Sequence, residues 1–143
     1  MPLRTPREHL EDVHRRPGAY GLDGSYRLFT TYLAGFHAGS GHTFLDGFRE
    51  WLIVRVGGGN NLVWEALVFM LAFPGETRRS LHARMDDERN AVVVRTLFDA
   101  LERFLDDRDG RLGGKDMIRA DYETWLSRQS WSRPSHRPSD HGQ

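Results

Sequence analysis

The stretch DERNAVVVRTLFDALERFLDD, residues 87–107, decides the fold. Val94, Leu97, Phe98, Leu101, Phe104 and Leu105 recur at steps of three and four, so a helix collects them on one inward face. Asp, Glu and Arg fill the positions between them, as on a half-exposed helix. The consecutive Val92, Val93 and Val94 leave a short strand as the one local alternative.

The same spacing continues on both sides. Ile118, Tyr122, Trp125 and Leu126 mark a last amphipathic helix. Upstream, residues 62–73 are apolar nearly all round and predict a central helix, capped by Asn60 or Asn61 and stopped by Pro74-Gly75. Thr43 with Asp46 three residues on is a capping pair for a helix carrying Phe44, Leu45, Phe48, Trp51 and Leu52, which ends by Gly57-Gly58-Gly59. Ser25 caps a helix with Leu28, Phe29, Tyr32, Leu33 and Phe36. Thr5-Pro6-Arg7-Glu8 opens the first helix, with Leu10 and Val13 inward and Pro17-Gly18 as its stop. These stripes predict an all-α, single-domain bundle of about six helices over residues 1–128. Residues 76–86 are charged and predict a loop or a short exposed helix. Residues 129–143, rich in Ser, Pro, His and Arg, predict a disordered tail.

Composition narrows the function classes. With 143 residues, 38% hydrophobic, the chain has the length and apolar content to bury one core. Lys plus Arg and Asp plus Glu each total 20, so there is no global positive field to hold nucleic acid. The absence of Cys excludes disulfides, thiolate metal sites and cysteine nucleophiles. The polar N-terminus and the lack of a long apolar run predict a cytoplasmic protein without a membrane segment. All basic residues but Lys115 are Arg, a skew expected of a GC-rich bacterial genome.

No residue set reaches a catalytic signature, and none calls for a cofactor or a metal. Gly57-Gly58-Gly59-Asn60-Asn61 lacks the Lys and Ser/Thr of a phosphate loop and reads as a linker. Residues 105–116 approach a calcium loop, but Leu105 stands where its first carboxylate belongs, so a turn between helices is expected. Glu65 lies in an apolar helix, where a charge needs a partner; Arg16, Arg49 and Arg55 are its candidates. His37 and His42 flank a Gly-Ser-Gly turn near Asp46 and Glu50, a set that would have to converge to form a carboxylate–histidine site. Tyr20, in a turn, and Trp131, in the polar tail, are aromatics placed for exposure, and exposed aromatics point to partners.

Arg16-Pro17-Gly18-Ala19-Tyr20, Gly35-Phe36, Gly47-Phe48-Arg49-Glu50-Trp51-Leu52 and Tyr122-Glu123-Thr124-Trp125-Leu126 resemble elements of a loosely defined group of small bacterial proteins. Ala19 stands in place of that group's usual Met, and Gly21-Leu22 in place of Leu-Gly. Some of that group lie beside polymorphic toxins, so the resemblance implies an immunity-type role. The expected function is therefore a non-enzymatic protein-binding module, an immunity or antitoxin-type inhibitor. Its binding residues are drawn from Arg16, Tyr20, His42, Asp46, Glu50, Trp51 and Glu65. The alternative is a small-molecule-binding protein or small enzyme with a pocket of Tyr20, Trp51 and Trp64 and polar groups from His42, Asp46 and Glu65.

Overall fold

The computed structural model describes residues 4–76 and 85–131. Six α-helices form among them: α1 (Pro6–Arg15), α2 (Tyr26–Gly39), α3 (Phe48–Val56), α4 (Trp64–Ala72), α5 (Asp87–Asp109) and α6 (Gly114–Ser127), with a 3-10 turn over Pro17–Tyr20. No strand occurs among the described residues, and Val92, Val93 and Val94 are helical. The all-α single domain expected from the periodicity is the observed fold. No helix is long and apolar enough to cross a membrane among the described residues. Most of the charged stretch 76–86 and nearly all of the C-terminal tail lie outside those residues.

Two N-terminal caps form where the sequence places them. Thr5 Oγ1 accepts the Glu8 N–H at 3.1 Å, and Ser25 Oγ accepts the Leu28 N–H at 3.3 Å. Each satisfies a backbone donor that the first turn leaves open.

The centre of the bundle is α5, not α4. At 23 residues α5 is the longest helix, about 34 Å at 1.5 Å per residue. Val93, Val94, Leu97, Phe98, Ala100, Leu101, Phe104 and Leu105 are buried along it, and all five other helices pack on it. Helix α4 has nine residues and buries only Leu67 and Val68. A helix so short contributes one contact face, and its remaining apolar side chains pack half-buried against α3 and the core edge. Its cap also differs from expectation: Val63 precedes it, without a side-chain cap. Asn60 instead accepts the Tyr122 hydroxyl on Oδ1 at 2.8 Å.

The Thr43/Asp46 capping pair does not form. Ser40 Oγ accepts the Phe44 N–H at 3.1 Å, and His37 Nδ1 accepts the Leu45 N–H at 2.9 Å. Arg108 Nη1 collects the carbonyls of Thr43, Phe44 and Asp46 at 2.8–2.9 Å. With those backbone groups taken by side chains, residues 43–47 stay a turn, and α3 begins only at Phe48. Phe44 and Leu45 still enter the core, as their place in the stripe predicts.

Between α5 and α6 the chain reverses in residues 110–113. A Cβ on Gly114 would stand 2.0 Å from the Asp107 carbonyl oxygen, so only glycine lets α6 start this close to the end of α5. The tight reversal leaves Leu112 wholly exposed at its apex.

Candidate functional site

The densest polar arrangement lies where α1, the 3-10 turn and α2 meet. Pro17 starts the turn and Gly21, at φ 72°, ends it; this folds Tyr20 back over α1. Its hydroxyl donates to Asp12 Oδ2 at 2.5 Å. Asp12 is a buried carboxylate, its side chain 5% exposed. Arg16 grips it with two bonds, Nε to Oδ1 at 2.9 Å and Nη2 to Oδ2 at 2.8 Å. Arg4 adds a bond to Oδ2 at 2.9 Å and Arg15 one to Oδ1 at 3.2 Å. These partners, Arg16 and Tyr20 foremost, hold the Asp12 carboxyl far below the usual carboxylate range against the opposing effect of burial.

The charge balance at this corner is uneven. One carboxylate faces three guanidinium groups, which leaves two positive charges in excess. All three cations are open to solvent: the Arg4, Arg15 and Arg16 side chains are 54%, 76% and 55% exposed. Next to them is an aromatic cluster. His9 Nε2 and the Tyr32 hydroxyl share a hydrogen bond at 2.8 Å, the His9 ring stacks on Phe36 at 4.7 Å, and Tyr20 meets Tyr32 edge-on at 5.6 Å. Burial first, and then the charge of Arg4, push His9 below the ordinary imidazole value. Tyr20 is pushed up, chiefly because its proton is held by Asp12.

Of the seven expected site residues, Arg16 and Tyr20 thus share one site, with Asp12 between them. The other five are dispersed. Asp46 pairs with Lys115 at 2.9 Å, which lowers its carboxyl. His42, at φ 62°, stands beside His37 with ring centroids 5.3 Å apart and is exposed. Glu50 lines a cleft of about 430 Å³ with Asp46 and Lys115. No group of three His, Asp or Glu side chains suited to a metal occurs among the described residues, and the His37/His42/Asp46/Glu50 convergence does not form. Its components are occupied: Lys115 takes Asp46 and the Leu45 amide takes His37.

Glu65 is half-buried and none of its three expected partners reaches it. Arg16 is on Asp12, Arg49 donates to the carbonyls of Leu62 (2.8 Å) and Asn60, and Arg55 pairs with Asp107 at 3.1 Å. No described residue pairs with the Glu65 carboxylate, and burial raises its carboxyl above the usual value. Its backbone carbonyl accepts the Tyr26 hydroxyl at 2.7 Å.

Trp51 belongs to a different surface. Its Nε1 donates to Asp107 Oδ2 at 2.8 Å, and the Arg55 guanidinium lies 3.9 Å over its ring. Around it opens a cleft of about 420 Å³ with Val54 and Ile118 in its wall and Leu112 and Met117 at its margin. Trp64 packs on Phe48 at 5.7 Å, so Tyr20, Trp51 and Trp64 line no common pocket among the described clefts. The stretch that approaches a calcium loop, residues 105–116, runs from the end of α5 through the 110–113 reversal into the start of α6, the turn between helices expected of it; Asp107 serves Trp51 and Arg55, and Asp109 pairs with Arg108.

The one local signal for Asp12 is Arg16 four residues on, the spacing of a helical ion pair; nothing else in the sequence distinguishes it from its acidic neighbours. Arg4 and Tyr20 carry no such signal, since their approach depends on the 3-10 turn. No family model, curated protein or solved structure matches the chain.

Proposed function

We propose that the protein is a non-enzymatic protein-binding module that docks an acidic partner surface on the Arg4–Arg15–Arg16–Tyr20 corner. The concrete form of this role is an inhibitor of the immunity or antitoxin type, which works by covering its partner's functional surface.

The charge balance around Asp12 supports it. A buried carboxylate orients three guanidiniums but neutralises one of them, so their outward N–H groups remain available to carboxylates of a partner. Arg and Tyr are also the residue types that dominate the energetics of protein interfaces. Tyr20 and Tyr32 supply rigid aromatic surface beside the cations, at low cost in side-chain entropy.

The experiment is binding and rescue with the product of the neighbouring gene. The wild-type chain binds it and suppresses any toxicity it shows. Association slows as ionic strength rises, because exposed charges steer the encounter and salt screens them. Arg15→Glu, a change at the most exposed of the three cations, reduces the association rate while leaving the melting temperature near that of the wild type. Binding that is indifferent both to salt and to Arg15→Glu would exclude this corner as the contact.

A further inference from the structure

We propose that the α5–α6 turn is the contact face of a two-fold homodimer, in which Leu112 of each copy enters the cleft beside Trp51 of the other. The residues involved are separate from the Arg4–Arg16 corner, so the two proposals stand or fall independently.

A two-fold interface must be complementary to itself, because the same patch appears on both sides. This face has that property in shape. Leu112 is fully solvent-exposed, and Met117 is 58% exposed. Both stand at the margin of the 420 Å³ cleft walled by Trp51, Val54 and Ile118. A projecting leucine next to a recess with Trp51, Val54 and Ile118 in its wall and charged groups around them places a knob and a hole side by side. The close approach at Gly114, where a Cβ would stand 2.0 Å from the Asp107 carbonyl oxygen, makes the reversal that carries Leu112 tight.

The face is also complementary to itself in charge. Arg111 lines the same cleft with a 70% exposed side chain and, among the described residues, reaches only Asp107, at 3.6 Å. Asp121 lines it too, exposed, and no described residue pairs with it. One patch carrying an under-paired cation and an unpaired anion matches a rotated copy of itself, with Arg111 of one chain facing Asp121 of the other. A partner of uniform charge would leave one of the two opposed by like charge. Helix α6 has surface to offer, since only Gly114 and Ile118 of it are buried in the monomer.

Sedimentation equilibrium of the full chain, from low micromolar to near-millimolar concentration, tests this. The apparent mass rises from the 16.5 kDa monomer toward twice that value. Leu112→Asp weakens the dimer by more than about thirtyfold, the loss typical of an interface anchor. This residue touches no core, so circular dichroism and the melting temperature of the variant stay at wild-type values. Arg111→Asp and Asp121→Arg each weaken the dimer and together restore it. Because the chain has no cysteine, a spin label on Met117→Cys sits at one place per copy and reports a short inter-copy distance. A chain that stays monomeric throughout, a dimer that Leu112→Asp leaves intact, or a double variant no tighter than either single one overturns the proposal.

Discussion

Asp12, on the last turn of α1, and Arg16, the residue that follows the helix, meet as a two-bond pair four residues apart, with Nε on Oδ1 at 2.9 Å and Nη2 on Oδ2 at 2.8 Å. The pair is the hub through which α1, the N-terminal segment at Arg4 and the Tyr20 turn hold one another. Its consequences can be measured.

The first is an acid dependence of stability. The Asp12 carboxyl is depressed in the folded chain relative to its ordinary value of 3.8. A depressed carboxyl adds stability that is fully present above the unfolded value and is lost as pH falls through the folded one. The melting temperature of the wild type should therefore drop below about pH 4. Asp12→Asn should melt lower at neutral pH and show a shallower acid decline, as followed by circular dichroism. Equal slopes in the two proteins would mean that Asp12 is not the group responsible.

The second prediction contrasts two leucines. Leu97 on α5 is completely buried, whereas Leu112 is completely exposed. Leu97→Ala should lower the unfolding free energy by about 2–5 kcal/mol, from lost transfer energy and the cavity left behind. Leu112→Ala should change it by less than about 0.5 kcal/mol. Urea titration of both variants provides the comparison.

A third concerns Gly59, which holds φ at 77° and whose added Cβ would lie 2.5 Å from Leu67 Cδ2. Leu67 is fully buried and has little room to yield, so Gly59→Ala should cost about 1–3 kcal/mol from strain and overpacking. Gly35, inside α2 with nothing near its missing Cβ, gives the opposite sign. Gly35→Ala should stabilise the chain by about 0.5–1 kcal/mol. The sign of each change in a urea midpoint decides the matter.

Histidine titration offers a fourth test. Burial lowers His9, His14 and His37 from the ordinary value of 6.5. Protonation is then less favourable in the folded chain than in the unfolded one. Their contribution is present above pH 6.5 and declines as pH falls through their folded values. Imidazole resonances of these three followed by NMR should show midpoints below 6.5; a midpoint above it for His9 would contradict the burial shown by its stacking on Phe36.

The helices were readable before any coordinates because their signals are local. Thr5 and Ser25 cap from within three residues of the amides they satisfy, and the α5 stripe needs no more than the 3.6-residue period. The candidate site was half readable. Arg16 and Tyr20 stand out in the sequence, whereas Asp12, which joins them, does not, and the partner expected for Glu65 is absent among the described residues. Thr43 and Asp46 carry a capping signature that failed because His37, Ser40 and Arg108, remote in sequence or on another element, claimed the same turn.

The sequence by itself determined that this chain is a helical bundle, where its first two helices begin, and which face of α5 is buried, since each follows from periodicity and from hydrogen bonds spanning a few residues. Only the tertiary structure decided which of 20 basic residues meets which of 20 acids, that α5 rather than α4 is central, and that Leu112 stands beside a cleft. Such pairings depend on distances across the fold between groups of the same chemistry, and no local pattern distinguishes one arginine from another.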